Sequence, residues 1–198
     1  MEPAAADTPN SEAAALMARI RQGDQDAYTI LVRRHGQRLY GLARHMCGGT
    51  GEAEEVVQDV CLRLWQRPEA WNPERGSFVA WLDRVTVNAC LDQLRRRKWH
   101  GGAVSDEWAD PAPDIVASLL QQEEQQAVRD ALQLLPPRLR AALLLVEYRG
   151  LGQVAAAADM GLSVEALESL LARGRRKLRE LLMPLLRQEK GEHHATGR

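Results

Sequence analysis

A run of four cations, Arg95 to Lys98, closes the stretch from Gly76 to Lys98, which has no glycine or proline after Ser77. Apolar residues recur there at helical spacing on two opposite sides, so we predict a helix packed between other elements, with Ser77 as its N-cap. One or two cations suffice to complement the dipole at a helix C-terminus. Four in a row indicate an anion outside the fold. A polar stripe separates the apolar sides: Arg84, Asn88 and Arg95.

A second basic run follows a pattern typical of a helix-turn-helix between Gln153 and Ala172. Ala157 is small enough for the point where two such helices cross, and Gly161 suits the turn between them. Three apolar positions are predicted to lock the second helix: Leu162, Leu167 and Leu170. The basic run suits contacts with phosphates and consists of Arg173, Arg175, Arg176, Lys177 and Arg179.

The outward positions of that second helix are predicted to reach base edges in a major groove. They are Ser163, Val164, Glu165, Glu168, Ser169 and Arg173. Glu168 can accept a hydrogen bond from cytosine N4, and Arg173 can donate to guanine.

A third surface lies on the helix predicted from Glu52 to about Arg67. Leu62 and Trp65 fall outside its apolar face, beside Gln58 and Asp59. Acids in the first turn of a helix suit its dipole, but the dipole does not explain exposed apolar residues. An apolar and acidic surface of this kind indicates a partner helix.

Composition predicts an all-α fold, because the 198 residues include one Phe and three Tyr and lack alternating strand-like runs. Trp71, in the predicted loop from Pro68 to Ser77, is interpreted as a residue that caps the core. Helical spacing also recurs in four other segments: Ala15 to Ile20, Asp24 (as N-cap) to Met46, Leu119 to Leu135, and Arg138 to Arg149.

The net charge of −1 conceals two basic blocks, since residues 14–100 and 129–198 each carry +4 while residues 101–128 carry −6. We therefore predict two small helical domains, joined by a flexible acidic linker, that contact a polyanion at two places. The predicted boundaries are a disordered N-terminus 1–13, a first domain 14–100, a linker 101–118, a second domain 119–186 and a disordered tail 187–198.

Several classes of site are not expected. The chain has no Ser/His/Asp order, glycine-rich phosphate loop or paired carboxylates in an apolar setting, so we expect no enzyme and no cofactor. His45 and Cys47 lack a third and fourth ligand at zinc spacing, and His35 lies on an apolar face as a structural residue, so we expect no metal. The odd set Cys47, Cys61 and Cys90 indicates reduced thiols in a cytoplasmic protein. No signal peptide or membrane-spanning apolar run is evident, so no membrane insertion is expected.

Two stretches resemble bacterial sigma factors of the extracytoplasmic-function family, within the sigma-70 superfamily. Glu52 to Lys98 resembles region 2 and reads EAEEVVQDVCLRLWQRPEAWNPERGSFVAWLDRVTVNACLDQLRRRK. Leu135 to Leu182 resembles region 4 and reads LPPRLRAALLLVEYRGLGQVAAAADMGLSVEALESLLARGRRKLRELL. Many members carry more basic residues where this chain has Glu165 and Glu168. The alanines from Ala155 to Ala158 also replace the usual acid or isoleucine.

The resemblance implies an alternative sigma factor that binds core RNA polymerase, recognises −35 and −10 promoter elements and directs initiation. The polymerase-binding residues it implies are Gln58, Asp59, Leu62, Trp65 and Gln66. Those implied for the −10 region, where a base is flipped out, are Arg75, Ser77, Arg84, Asn88, Arg95, Arg96, Arg97 and Lys98. Those implied for the −35 region are Ser163, Val164, Glu165, Glu168, Ser169, Arg173, Arg176 and Lys177.

The resemblance also places the linker in the RNA exit path of the polymerase. Four acids there would mimic nucleic acid: Asp106, Glu107, Asp110 and Asp114. A solvated tether is the alternative interpretation of the same composition. The partners implied are core polymerase, promoter DNA and an anti-sigma factor responding to stress, with the chain a monomer when free or a heterodimer with its inhibitor.

Two other functions are compatible with the residues alone. The first is a free-standing helix-turn-helix regulator that binds an operator as a dimer, without polymerase. The second is a helical adaptor in which the arginines only cap helices, and it would bind DNA with almost no dependence on salt.

Overall fold

The computed structural model describes residues 8–99 and 126–192, and every regular element in these ranges is helical. The described residues form two compact units, the first from residues 8–44 and 50–99 and the second from residues 45–49 and 126–192. This confirms the predicted all-α class with two small helical domains. The predicted linker 101–118, with its four acids, lies outside the described residues.

Four helices build the first unit: α1 (Thr8–Ile20), α2 (Gln25–Cys47, of which residues 45–47 group with the second unit), α3 (Thr50–Gln66) and α4 (Phe78–Trp99). The predicted cap of α2 is confirmed, because the Asp24 carboxylate accepts from the amides of Asp26 and Ala27 at 3.0 Å each. Those amide bonds hold the pKa of Asp24 below its usual value, as does the Arg19 guanidinium. Helix α1 begins at Thr8, so it includes residues 8–13 of the segment that the sequence predicts to be disordered.

Helix α4 is buried on two sides, as its spacing predicts. Phe78 and Leu82 on one side and Val87 on the other are almost fully buried. Two polar residues not singled out by the sequence, Asp83 and Thr86, are also buried on this helix. The Thr86 hydroxyl donates to the backbone carbonyl one turn earlier, and Asp83 pairs with an arginine of α2, so both side chains have partners.

The second unit contains residues 126–133 (α5), α6 (Pro137–Leu143), α7 (Gln153–Asp159) and α8 (Val164–Glu192). The helix predicted to end at Gly150 does so, with that glycine at φ 70°. Its last five residues, Leu144–Tyr148, wind as a π-helix, which sequence spacing did not indicate. Helix α8 continues to Glu192, so it includes residues 187–192 of the segment predicted to be a disordered tail. Residues 193–198 lie outside the described part.

The core of the second unit also holds an arginine. Arg140 is 4% exposed and donates to the backbone carbonyls of Gln133 (2.6 Å) and Leu135 (3.2 Å), which end α5 and precede α6. Its charge is therefore balanced by carbonyl dipoles.

Among the helices described in both units, none combines the length and apolar content needed to cross a bilayer.

Candidate nucleic-acid interface

The helix-turn-helix is formed by α7, a short turn and the first part of α8. The predicted small residue at the crossing is confirmed, since Ala157 is buried and its carbonyl accepts from the Leu162 amide at 2.9 Å. Gly161 adopts φ 63°, in the left-handed region that side-chain-bearing residues rarely occupy. The Ser163 hydroxyl accepts from the Ala166 amide at 3.2 Å and so caps α8.

Burial on α8 defines which side faces away from the unit. Leu167 and Leu171 are fully buried, whereas Leu170 is only half-buried. The residue that packs this part of α8 against the unit is therefore Leu171, and not Leu170 as predicted. Five of the six predicted base-edge residues are exposed and Val164 is half-buried. The exposed ones are Ser163, Glu165, Glu168, Ser169 and Arg173.

The two acids of this face differ in their surroundings. Glu165 lies in the first turn, where its own backbone N–H and the Ser163 hydroxyl hold the pKa of its carboxyl below the usual value. It is therefore ionised and engaged with the start of the helix. Glu168 lies one turn further on and is exposed, which leaves its carboxylate better placed to accept from a base edge.

The basic run on α8 divides into paired and exposed cations. Arg175 turns back toward the π-helix and pairs with Glu147 at 2.5 Å. Lys177 lies 3.8 Å from Glu180, and Arg173 donates through Nε to the Ser169 carbonyl at 3.3 Å. Arg176 and Arg179 are exposed, and within the described residues no acidic side chain lies at ion-pair distance from either. These two cations are the most available to phosphates.

The basic end of α4 has partners that its sequence did not reveal. Arg97 pairs with Glu52 at 2.7 Å, with the two side chains 19% and 20% exposed. Arg96 lies 3.8 Å from Asp59, and Arg95 lies 2.5 Å from Asp92. Three of the four cations that were predicted to face an outside anion therefore also face acids of their own unit.

The Arg97 and Arg96 pairs arise because the acidic first half of α3 lies against the basic end of α4, whereas Arg95 and Asp92 lie three residues apart on α4 itself. Glu55 contributes as well, accepting from the Gln93 amide at 2.5 Å. The acids at 52, 55 and 59 share one helix face at intervals of three and four residues, and this spacing was the available sequence signal. Asp59, assigned to polymerase, and Arg96, assigned to DNA, thus lie next to each other.

The other predicted −10 residues are spread along one helix length. Arg75 is exposed in the 3₁₀ turn Pro73–Arg75, and the Ser77 hydroxyl accepts from the Ala80 amide at 3.1 Å, which confirms the predicted cap. Asn88 is exposed and Arg84 is half-buried. At about 1.5 Å per residue, Ser77 lies roughly 27 Å from Arg95 along α4. The geometry is a strip along the helix, of a length suited to a strand of nucleic acid.

The segment between α3 and α4 is anchored by Trp71. Its side chain is 2% exposed and packs edge-on against Phe78, with ring centroids 5.1 Å apart, which confirms its interpretation as a core cap. The indole N–H also donates to the Gly76 carbonyl at 3.3 Å. The Asn72 side chain accepts from the Glu74 amide at 2.9 Å and shapes the second of two 3₁₀ turns.

The candidate polymerase surface on α3 is partly as expected. Leu62 is 53% exposed, and Gln58 and Gln66 are exposed. Trp65, which was predicted to be exposed, is half-buried, because its ring packs edge-on against Tyr28 of α2 with ring centroids 5.2 Å apart. The apolar part of this surface therefore centres on Leu62.

His35 and Cys61, two titratable residues of the first unit, are half-buried. In residues 8–99 and 126–192, no three His, Cys, Asp or Glu side chains are grouped as metal ligands would be. His35 packs against Phe78 at 5.3 Å, and burial together with nearby Arg34 and Arg38 lowers its pKa. Burial raises the pKa of the Cys61 thiol, which keeps it protonated and unreactive at neutral pH.

Comparison with known proteins gives consistent matches. Sigma-70 region 2 matches residues 31–100, and sigma-70 region 4 matches residues 125–178. The ECF RNA polymerase sigma factor SigM of Mycobacterium tuberculosis (strain H37Rv) is 34% identical over 169 residues, which cover 85% of this chain and 84% of that protein. The structure of CnrH in complex with the cytosolic domain of CnrY matches with a TM-score of 0.63 and 30% identity, covering 87% of this chain and 98% of that one.

A longer relative is also similar. The ECF RNA polymerase sigma factor SigE of Mycolicibacterium smegmatis is 33% identical over 170 residues, which cover 81% of this chain. The chain spans 64% of the length of that protein.

Proposed function

The chain belongs to the extracytoplasmic-function family of sigma factors, and on that premise we propose that it binds core RNA polymerase and directs it to a subset of promoters. The mechanism is binding and positioning, with no covalent step of its own. The observation that carries the proposal is the outward face of α8. Burial of Leu167 and Leu171 orients Glu168 and Arg173 toward solvent, on the same helix as the exposed cations Arg176 and Arg179.

In the second unit, we assign α8 to the major groove of the −35 element. Glu168 and Arg173 are the base-reading residues, while Arg176, Lys177 and Arg179 contact phosphates. The acid at position 168 favours a cytosine, because a carboxylate can accept from its N4 amino group but repels acceptor-rich guanine edges. Glu165 is bound to its own helix start and contributes less to base selection.

In the first unit, we assign the exposed strip of α4 to the −10 element. Arg75 and Asn88 contact the opened strand, and the cations from Arg95 to Lys98 contact its phosphates. Opening DNA without ATP requires compensation for lost stacking, which cationic and pocket-forming surfaces supply. The Ser77 hydroxyl is already occupied as a helix cap, so its role there is mainly to hold the end of the loop.

The surface centred on Leu62 is assigned to core polymerase, with Gln58, Asp59, Trp65 and Gln66 around it. An exposed leucine flanked by amides and an acid fits the side of a helix that carries both apolar and basic residues. We propose that an anti-sigma factor covers this same face in the inhibited state, releasing it under stress. A protein that works on polymerase and promoter DNA acts in the cytoplasm.

Run-off transcription with purified core polymerase tests the proposed function directly. We expect the chain to add initiation at defined start points that core polymerase alone does not use. A gel shift with and without core polymerase gives the matching control, because a free-standing regulator would bind its operator equally well in both. Failure to join core polymerase, or tight operator binding by the isolated chain, would contradict the proposal.

The base-reading assignment is tested with Glu168→Lys. We expect the preferred base at one −35 position to change, with roughly tenfold loss on the original promoter, because a contact to a base edge is worth about 1–3 kcal/mol. Glu180→Lys is the matched control, since it makes the same charge change on the same helix, three turns further along. It should strengthen binding to all promoters alike. An unchanged base preference in Glu168→Lys would refute the assignment.

A further inference from the structure

Helix α1 contacts the loop that we assign to promoter opening, although α1 lies before residue 31, where the match to sigma-70 region 2 begins. Its side packs against the 3₁₀ turn Pro68–Ala70, which follows α3. Two side chains from this part of the chain bond to backbone groups at the two ends of the loop. They are Asn10, within α1, and Arg21, one residue past its end.

Asn10 bonds to the start of α4. Its side-chain oxygen accepts from the Phe78 amide at 2.8 Å, across 68 residues of sequence. The first amides of a helix have no partner within the helix, and here Ser77 satisfies the Ala80 amide while Asn10 satisfies that of Phe78. The end of the loop is therefore held by a residue that local sequence could not supply.

Arg21 bonds to the beginning of the loop. Its guanidinium Nη2 lies 3.4 Å from the carbonyl oxygens of both Pro68, which begins the first 3₁₀ turn, and Trp71, which follows that turn. Each bond is long, but one cation shared by two carbonyls favours a single arrangement of the turn. Trp71 adds a third tie through its indole N–H to Gly76. The loop backbone is thus fixed at both ends and in the middle, while Arg75 remains exposed.

We infer that Asn10 and Arg21 are positioning residues for promoter opening, which hold the loop from Pro68 to Ser77 in its DNA-ready conformation before DNA arrives. The inference rests on the proposed function. A loop ordered in advance loses less conformational entropy when it captures an extruded base. More of the binding free energy therefore stabilises the open promoter against return of that base to the stack. Neither residue contacts DNA itself in this scheme.

Hydrogen exchange on the free chain tests the first half of the inference. In Asn10→Ala we expect the Phe78 amide to exchange at least about tenfold faster, because its side-chain acceptor is lost. Asn10→Asp keeps an acceptor oxygen at the same place and should restore wild-type exchange. Arg19→Ala is the matched control for Arg21→Ala, since the Arg19 guanidinium pairs with Asp24, which caps α2 and lies outside the loop. Unchanged core amides of α2 and α3 show that each variant folds.

Open-complex formation by holoenzyme tests the second half, with a fluorescent base in the −10 element. We expect Asn10→Ala and Arg21→Ala to open the promoter several-fold more slowly, with unchanged affinity for core polymerase, and Asn10→Asp and Arg19→Ala to behave as wild type. If wild type opens the promoter and both alanine variants open it equally fast, this inference fails alone. If wild type never opens a promoter, the proposed function fails and this inference fails with it.

Discussion

The first and second helical units differ in what their arginine side chains contact. In the first unit, arginines pair with carboxylates of neighbouring helices: Arg38 with Asp83, Arg97 with Glu52 and Arg96 with Asp59. In the second unit, Arg175 also pairs with an acid, Glu147, but Arg140 is buried against backbone carbonyls, and Arg176 and Arg179 are exposed. Two basic runs that look equivalent in sequence therefore have different surroundings.

This difference teaches that a cation count does not measure how strongly a surface binds DNA. A cation that already faces an acid must exchange that partner for a phosphate, so its net gain on binding is smaller. On α8, Arg176 and Arg179 have no such exchange to make with any acid in the described part of the chain. We therefore expect electrostatic affinity to come mainly from the second unit, while the charges of the first unit contribute more to its own stability.

The largest expected effect is on the stability of the first unit. Asp83 is 0% exposed and receives two bonds from the Arg38 guanidinium, at 2.6 and 3.2 Å. Asp83→Ala leaves that cation without its buried partner, and we expect a loss of about 3 kcal/mol, at the lower end for buried pairs because Arg38 is partly exposed. Glu147→Ala, which breaks an exposed pair in the second unit, should cost about 0.5 kcal/mol.

Urea unfolding, with hydrogen exchange as the probe of each unit, measures the unfolding midpoint of each unit in both variants. The expected pattern is a lower midpoint for the first unit only in Asp83→Ala. Equal losses from the two substitutions would show that burial does not distinguish the two units in the way described.

The next effect concerns the salt dependence of promoter binding by holoenzyme. Removing two phosphate contacts with Arg176→Ala and Arg179→Ala should reduce the slope of log K against log salt by about 2. Arg96→Ala with Arg97→Ala removes the same charge, but we expect a reduction of less than about 1, since these cations first leave Asp59 and Glu52. Binding titrations at several salt concentrations measure the slope for each double variant. Equal reductions in the two double variants would contradict the proposed difference between the two units.

The smallest effect is a dependence of stability on pH that is confined to the first unit. Burial, with Arg34 and Arg38 nearby, lowers the pKa of His35, and the Asp83 charge only partly opposes this. The unfolded chain therefore binds the proton more readily, and stability falls as pH drops below about 6.5, until the lowered folded pKa is passed.

Unfolding midpoints between pH 5.5 and 7.5 measure this effect. His35→Asn removes the titrating group and should flatten the dependence in the first unit. A wild-type midpoint that stays constant across this range, or a His35→Asn variant with the same slope, would show that another group is responsible.

Much of the fold followed from signals that act within a few residues. Asp24 and Ser77 cap helices as predicted, Pro136 and Pro137 separate α5 from α6, and Gly161 makes the turn before α8. Helix ends were less predictable where no such signal exists. Helix α1 begins at Thr8, and α8 continues to Glu192 although Pro184 lies inside it.

By itself, the sequence determined that the chain is helical and which face of α8 points outward, because the periodicity of apolar residues fixes both, while the distribution of charge showed two basic blocks. Only the tertiary structure decided that Arg97 pairs with Glu52, that Asp83 is buried and that Asn10 holds the start of α4. Each of these contacts joins residues more than forty positions apart. Their formation depends on how helices pack, which no local pattern of residue types encodes.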